Sequence, residues 1–505
     1  MWLEIVVNGA DVNRIGHVIA DAESGAYERV SPVYNPATGQ QTAELALASV
    51  DEVDAAVAAA SEAFIDWQKV SLAKRATILF KFRQLVDEHR SELAEAITAE
   101  HGKVLSDAAG EVARGLECIE FACGIPQLLK GGHSSQASTG VDVYEVKQPL
   151  GVVAGITPFN FPVMVPLWMI PNAIACGNTF VLKPSEKDPS ASLLIARLLK
   201  EAGLPPGVFN VVHGDAVAVN RLLDHPDVAA VSFVGSTPVA KHIYERGTAA
   251  GKRVQALGGA KNHMVVLPDA AIDMAADAAV SAAYGSAGER CMAVSVVVAV
   301  GDVANPLIEA IEKRISNLTV GPGEDPASEM GPLVTCAHRD KVASYLDIAA
   351  DEGAEIVVDG RTHQFDSEGF FLGVSLIDQL STDMRVYKDE IFGPVLGVVR
   401  VETADEAIAI INDNPYGNGT AIFTRDGGAA RQFEQDIQVG MVGINVPIPV
   451  PVAYFSFGGW KDSLFGDSHM YGPEGVHFYT RTKVITRRWP DPSTSSVDLG
   501  FPTHK

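Results

Sequence analysis

VVAGITPFNFPVMVPLWMIPNAIACGNTFVLKPSEKDP, residues 152–189, is the stretch on which the fold turns. It opens on the short β-branched run Val152–Ile156 and reaches a second one at Thr179–Lys183. Turn residues follow each run, and Ser190–Ala202 then reads as a helix. Such runs alternating with helices imply parallel strands joined by crossover helices. The segment Phe161–Leu182 is apolar enough to raise a membrane span. Pro162, Pro166, Pro171, Asn172, Gly177 and Asn178 interrupt it, so it reads as buried helix and strand instead.

Downstream the alternation continues. Val208–Val212 and Ala229–Val234 are the next candidate strands, with a helix over Pro238–Ala250. A second α/β series runs from about residue 259 to 446, with strands at His263–Leu267, Ser295–Gly301, Glu355–Val358 and Gly397–Val401. Upstream, residues 28–40 read as short strand pieces joined by turns. Ser49 and Glu52 form a capping box for a helix that aligns Val53, Ala56, Val57, Ala60, Phe64 and Trp67 on one face. Further helical patterns cover residues 71–100 and 104–129. GGHSSQASTG at 131–140 breaks them as a hairpin or bridging arm, and the Pro- and Ser-rich tail beyond Trp489 reads as loosely held.

A chain of 505 residues exceeds one hydrophobic core, so two or three domains are expected. Its formal charge of −24 opposes a phosphate backbone and argues against nucleic-acid binding, although local arginines can still hold a small anion. Cys118, Cys123, Cys176, Cys291 and Cys336 are scattered, and no CxxC or HExxH occurs. Neither a disulfide framework nor a metal site is expected. MWLEIVVNGADVNR at the start lacks the pattern of a secretory signal, which makes a reducing cytoplasm, with no membrane partner, the expectation.

The chemistry concentrates at GSAGERCMA, residues 285–293. Small residues around Cys291 let backbone approach a ligand closely, and Arg290 beside the thiol is expected to favour the thiolate. A thiolate adds to an aldehyde carbonyl to give a thiohemiacetal, from which a hydride can leave. The other four cysteines read as buried structural residues. Six blocks then stand in order: ITPFNFP (156–162), VLKPSEKDP (181–189), FVGST (233–237), LGGAKNH (257–263), GERC (288–291) and EIFGP (390–394). Together they resemble the aldehyde dehydrogenase superfamily from about residue 28 to 489. The resemblance makes the chain an NAD-dependent oxidoreductase with Cys291 as nucleophile.

The rest of the site follows from that resemblance. Asn160 matches the side-chain donor to the oxyanion, beside the backbone N–H of the cysteine. No G-x-G-x-x-G follows a strand and no Walker A motif is present, so generic fingerprints leave the dinucleotide site open. The family match assigns Lys183 and Glu186 to the adenine ribose, with Lys187 close by and Ser236 on the pyrophosphate. Glu390 and Phe392 match the nicotinamide side, and Thr157, Phe159 and Gly258 line the groove. A carboxylate at 186 accepts from both ribose hydroxyls and repels a 2′-phosphate, favouring NAD over NADP. The implied fold is α/β: a Rossmann-like NAD domain (1–126 and 150–257), a catalytic α/β domain (258–447), a bridging and oligomerisation element (127–149 and 476–489) and a loose tail (490–505). A protruding arm implies a homodimer or homotetramer.

One departure is informative. Most members carry a glutamate in an E-L-G-G-K block that activates water to release the acid, and alignment on Lys261 puts Leu257 there. Leucine cannot take a proton. Leu257, GAKNH (259–263) and NVPIPVPVAYFSF (445–457) resemble the CoA-acylating methylmalonate-semialdehyde dehydrogenases. That branch converts malonate and methylmalonate semialdehydes to acetyl-CoA and propanoyl-CoA, losing the carboxylate as CO2 or bicarbonate, with coenzyme A as acyl acceptor. Arg114 and Arg290 are the candidates for the substrate carboxylate; Arg114 could instead be an ordinary helix-surface partner of Glu111 or Glu117. Two other readings stay open: a hydrolytic semialdehyde dehydrogenase giving a free acid, and a catalytically retired scaffold, which the presence of Cys291 and Asn160 disfavours.

Overall fold

The protein is described here from a computed structural model covering residues 13–494 together with 496, 497 and 499. The first twelve residues and much of the expected tail therefore lie outside the described residues. Two large sheets dominate the rest, each built on hydrophobic strands buried on both faces, the pattern that parallel pairing requires.

The first sheet has eight strands in the order Leu464–Phe465, Arg253–Leu257, Val228–Val234, Val152–Ile156, Thr179–Lys183, Phe209–Val211, His17–Ile19 and Ala22–Ser24. The five from Arg253–Leu257 to Phe209–Val211 are parallel, and antiparallel strands close both edges. Chain order runs outward from Val152–Ile156 to Phe209–Val211, then returns to Val228–Val234 on its other flank. The direction thus reverses between Val152–Ile156 and Val228–Val234, and a crevice opens at their carboxyl ends, where ligands bind to open α/β sheets. Thr157 and Ser236 stand just past those two ends.

The second sheet has seven strands: Glu355–Val358, Ser375–Asp378, Val395–Val401, Val294–Val300, Asn262–Val266, Gly419–Phe423 and Met441–Ile444. All are parallel except the first. Only residues 258–261 separate the last long strand of one sheet from the first of the other. A third, antiparallel sheet joins Thr480–Arg488 to Val141–Pro149, which pairs in turn with His133–Ser138. The break at 131–140 is thus a hairpin, turning at Gly140 with φ of 68°.

The helix Met164–Ala175 lies in the segment that raised the membrane question. Each of its residues is buried, with Pro171 inside it. Among the described residues no helix is long and apolar enough to cross a membrane. The capping box forms as read: Ser49 accepts from the Glu52 N–H, and the Glu52 carboxylate accepts from the Ser49 N–H. Several strands escaped the sequence reading, among them His17–Ile19, Ala22–Ser24, Arg253–Leu257, Ser375–Asp378, Gly419–Phe423, Met441–Ile444 and Leu464–Phe465. Each of these is short, at two to five residues.

Candidate active site

Cys291 sits between the helix Ile272–Tyr284 and the strand Val294–Val300, on a turn with unusual backbone. Ser286, Ala287 and Gly288 have φ of 54°, 52° and 73° in succession. Left-handed residues without glycine's freedom are held by surrounding packing, and such strain gathers at functional sites. At Gly288 the constraint is also steric, since a Cβ would lie 2.2 Å from the Gly393 carbonyl oxygen. The turn is pinned from the second sheet. The Cys291 carbonyl accepts from Asn262 Nδ2 at 2.9 Å and from Asn418 Nδ2 at 3.1 Å. Asn262 also donates to the Ala293 carbonyl and accepts from the Gly419 N–H. Neither asparagine was singled out in the sequence; the NH of GAKNH was the available signal for Asn262.

The thiol's surroundings correct one expectation. Burial, followed by the nearby Glu390 carboxylate, pushes the Cys291 thiol up to about 12, and Arg290 has only the weakest opposing influence. The Arg290 guanidinium is engaged by Asp107 at 2.6 Å and packs on Gly285, where a Cβ would be 2.5 Å away. Adjacency in sequence does not deliver the thiolate. Cys336 departs from its reading as well: Cys118, Cys123 and Cys176 are buried, but Cys336 is exposed at the start of the helix Cys336–Asp351. Among the described residues no cluster of three or more His, Cys, Asp or Glu side chains could hold a metal.

Asn160 lies on the turn after Val152–Ile156, buried to 3% exposure. Its side-chain amide donates to the Glu289 carbonyl at 2.9 Å. An amide nitrogen carries two hydrogens, so one N–H remains available for an oxyanion. The hydrogen bond ties this turn to the nucleophile's own segment, two residues before Cys291.

The groove continues from there. The Phe159 ring meets Phe392 edge-on at 5.9 Å, and the Lys187 ammonium sits 4.4 Å over the Phe159 ring. Lys183 and Glu186 pair at 3.3 Å, with Lys183 nearly buried and Glu186 more than a third exposed. The Thr157 hydroxyl is buried without a protein partner. Ser236 precedes the helix Thr237–Ala249 and makes no side-chain cap; with Pro238 lacking an N–H, the Thr237 and Val239 amides are the first-turn donors that can meet an anion. Gly258 admits no side chain, since a Cβ would fall 2.7 Å from the Asp462 carbonyl oxygen. These features fit a dinucleotide: a carboxylate with a paired ammonium, open amides at a helix start, and backbone close enough to touch.

Glu390 and Phe392 are held by residues the sequence reading passed over. Lys261, buried, donates to the Val386 and Asp389 carbonyls, and burial lowers its ammonium to about 8. Glu390 accepts from the Ala260 N–H, and burial raises its carboxyl to about 7. Phe392 has φ of 59°, and His338 Nε2 donates to its carbonyl at 2.7 Å. Cys291, Arg290, Asn262, Glu390 and Phe392 line one cleft of about 360 Å³.

Leu257 ends the strand Arg253–Leu257 and is 3% exposed. It belongs to the apolar cluster that Cys291 borders, and a leucine offers no proton acceptor. The two candidate arginines are separated. Arg290 lines the Cys291 cleft, whereas Arg114 lines a second cavity of about 190 Å³ with Trp168, Pro451 and Tyr471. Arg114 is one-third exposed, gripping both Glu117 oxygens and the Pro451 carbonyl. The Glu117 pairing matches the surface reading, while Glu111 turns away toward Lys103. Trp168, Met164 and Tyr471 belong to the apolar cluster against which Cys291 also packs.

Comparison with known proteins agrees with this arrangement. The model of the aldehyde dehydrogenase family matches residues 22–485. The malonate-semialdehyde dehydrogenase of Pseudomonas aeruginosa is 57% identical over 479 residues, covering 94% of this chain and 96% of its own. The crystal structure of methylmalonate-semialdehyde dehydrogenase from Oceanimonas doudoroffii superposes with a TM-score of 0.94 at 54% identity, over 95% of this chain and 99% of that one. An NAD complex from Sinorhizobium meliloti 1021, described as a methylmalonate-semialdehyde dehydrogenase, gives a TM-score of 0.95 at 49% identity over 96% and 100%. Matched by the family model over residues 22–485 and by these relatives over more than nine-tenths of its length, this chain belongs to the aldehyde dehydrogenase family.

Proposed function

We propose that this chain is an NAD-dependent, CoA-acylating dehydrogenase of malonate and methylmalonate semialdehydes. The observation that carries the reading is the Asn160 amide tied to the segment of Cys291 through the Glu289 carbonyl, together with a buried leucine, Leu257, at the position where a hydrolytic enzyme needs a base. The relatives at 57% and 54% identity act, by name, on malonate and methylmalonate semialdehyde.

The residues divide the work as follows. Cys291 sulfur attacks the aldehyde carbon, and Asn160 Nδ2 and the Cys291 N–H receive the negative oxygen. Removing one such donor typically costs about 10²–10³ in rate. NAD, when bound, supplies the hydride acceptor. Lys183 and Glu186 hold its adenine ribose, Lys187 closes over Phe159 beside them, and the amides after Ser236 receive the pyrophosphate. Thr157 and Gly258 line the groove, while Glu390 and Phe392 orient the nicotinamide end. Arg290, in the cleft, and Arg114, at the far end of the apolar cluster, are the two cations that can receive the substrate carboxylate. The resulting thioester loses its β-carboxylate as CO2 or bicarbonate, the electron pair of the broken C–C bond taking up a proton at the α-carbon. With no base at Leu257 to activate water, the thiolate of coenzyme A then attacks the acyl carbon and displaces the Cys291 thiolate, giving acetyl-CoA or propanoyl-CoA.

The sheets support the domain reading: an NAD domain around the first, a catalytic domain around the second, and the 127–149 and 476–489 pieces as a bridging element. Val146 and Val484 are exposed on that arm, a surface suited to a second copy in a homodimer or homotetramer. A reducing cytoplasm suits the five unpaired cysteines. The decisive experiment mixes enzyme, NAD and malonate semialdehyde without CoA. One equivalent of NADH per site should form and then stall until CoA is added. Steady turnover without CoA would establish the hydrolytic reading instead, and undiminished activity in Cys291→Ala would remove the nucleophile.

A further inference from the structure

Behind the oxyanion turn lies a charged pair that the mechanism above does not use. Lys103 and Glu111 are joined at 2.8 Å, and both side chains are wholly buried. Lys103 stands between the helices Arg90–His101 and Leu105–Cys123, and Glu111 lies two turns into the second. Burying two charges is costly, and an apolar pair of similar volume is often as stable or more so. A buried ion pair is therefore weak support for stability alone, and its contacts indicate what else it does.

All of those contacts converge on one segment. Lys103 Nζ donates to the Asn160 carbonyl at 2.6 Å and lies 4.4 Å over the Phe161 ring. Glu111 Oε1 accepts from the N–H groups of Val163 and Met164 at 2.8 and 3.1 Å. These N–H groups lie at the start of the helix Met164–Ala175, where no residue of that helix's own N-cap supplies a side-chain acceptor. The pair thus fixes the carbonyl of 160, the ring of 161 and the amides of 163 and 164, all within five residues. Two of the three Lys103 N–H donors and both Glu111 oxygens are engaged in doing so. Asn160 is then held at both ends: its carbonyl by Lys103, and its side-chain amide by the Glu289 carbonyl.

We propose that Lys103 and Glu111 are positioning residues for the reaction, setting the Asn160 amide at the place where the oxyanion forms. The inference rests on the reading of Asn160 as oxyanion donor. Neither residue touches the reacting atoms; both act through the backbone of the turn. A displacement of about 1 Å at a catalytic group can cost on the order of 10²-fold, and loss of the Lys103 anchor frees the carbonyl side of this turn.

The test is a cycle on the full-length enzyme, read by the single-turnover rate of NADH formation from malonate semialdehyde. Lys103→Met/Glu111→Gln removes both charges together and keeps an amide oxygen for the Val163 and Met164 N–H groups. Lys103→Arg keeps the charge but replaces a point donor with a wider planar group, and serves where the double variant does not fold. Each is made in the parent and in Asn160→Ala, with NAD dissociation constant and thermal midpoint measured alongside. The expected result is a loss of about 10- to 100-fold in the parent background, with NAD affinity within twofold. In the Asn160→Ala background the same substitutions should cost less than about twofold, because the group they position is gone. Equal losses in both backgrounds, or no loss in the parent, would overturn the proposal. A parent-like rate in Asn160→Ala alone would instead overturn the oxyanion reading, and the positioning role with it.

Discussion

Leu257→Glu places a carboxyl where the hydrolytic members of the family carry one, and the structure specifies when it should work. Leu257 is 3% exposed and sits in the apolar cluster that Cys291 borders. Glutamate retains much of leucine's volume, so desolvation of the carboxylate is the main cost rather than a cavity. Two native carboxyls of the same region calibrate that cost. Burial is the leading cause in both, raising Glu390 to about 7 and Glu289 to about 8. By the same cause, burial at 257 favours the protonated form of an introduced carboxyl, and its basic form gains as pH rises. A general base acts only when ionised, and a positioned one contributes about 10²–10⁴-fold. The expected outcome is CoA-independent NADH turnover that is small near pH 6.5 and plateaus near pH 9, about 100-fold or more above the parent. Leu257→Gln, with the same shape and no basicity, should gain nothing. If Leu257→Glu keeps a full NADH burst and a cooperative unfolding transition yet shows no CoA-free turnover at high pH, the absence of a base does not explain acyl transfer to CoA.

Three further outcomes are expected. Arg114→Leu should lower kcat/KM for malonate semialdehyde by roughly 10- to 150-fold, the equivalent of a charge-assisted hydrogen bond of about 1.5–3 kcal/mol, while leaving propanal turnover unchanged. An equal loss on both aldehydes would assign Arg114 to folding through Glu117 and Pro451. Glu390→Gln should speed alkylation of Cys291 above about pH 7, since the Glu390 carboxylate pushes the thiol up and itself ionises near 7; an undiminished gain at pH 5.5 would contradict this. Burial holds the Glu289 carboxyl neutral to about 8 in the folded chain, against 4.5 ordinarily. The unfolded chain thus loses that proton first, and stability falls as pH rises across the interval. Glu289→Gln, which keeps an oxygen for the Val334 N–H, should therefore gain thermal stability over the parent progressively from pH 5 to 8. Parallel melting curves against pH would refute it.

Much of the fold was legible because it is local. Val152–Ile156 and Thr179–Lys183 match their strands residue for residue, since β-branched runs bounded by turns leave little choice. The capping box at Ser49 and Glu52 reads directly, as both partners lie within one turn. The strands that were missed are short pieces whose extended state is imposed by neighbours. Arg253–Leu257, for instance, is held between Val228–Val234 and Leu464–Phe465, the latter some two hundred residues away in sequence. No window over RVQAL contains that information.

The site divides along the same line, with a sharper consequence. Cys291, Asn160 and Glu390 could be named because their types and blocks announce them. The contacts that fix their positions could not, even where a block contains the residue: Asn262 and Asn418 on the Cys291 carbonyl, Lys261 behind Glu390, and Lys103 on the Asn160 carbonyl all join distant segments. Arg290 is the instructive failure. As the thiol's neighbour in the chain it was expected to draw out the proton, yet Asp107, from the helix Leu105–Cys123, takes up its charge, and burial together with Glu390, ninety-nine positions away, sets the thiol's proton affinity. A nucleophile's proton affinity is set by everything around it in space, so a neighbouring cation in the chain, already paired, counts for less than burial and a carboxyl across the cleft.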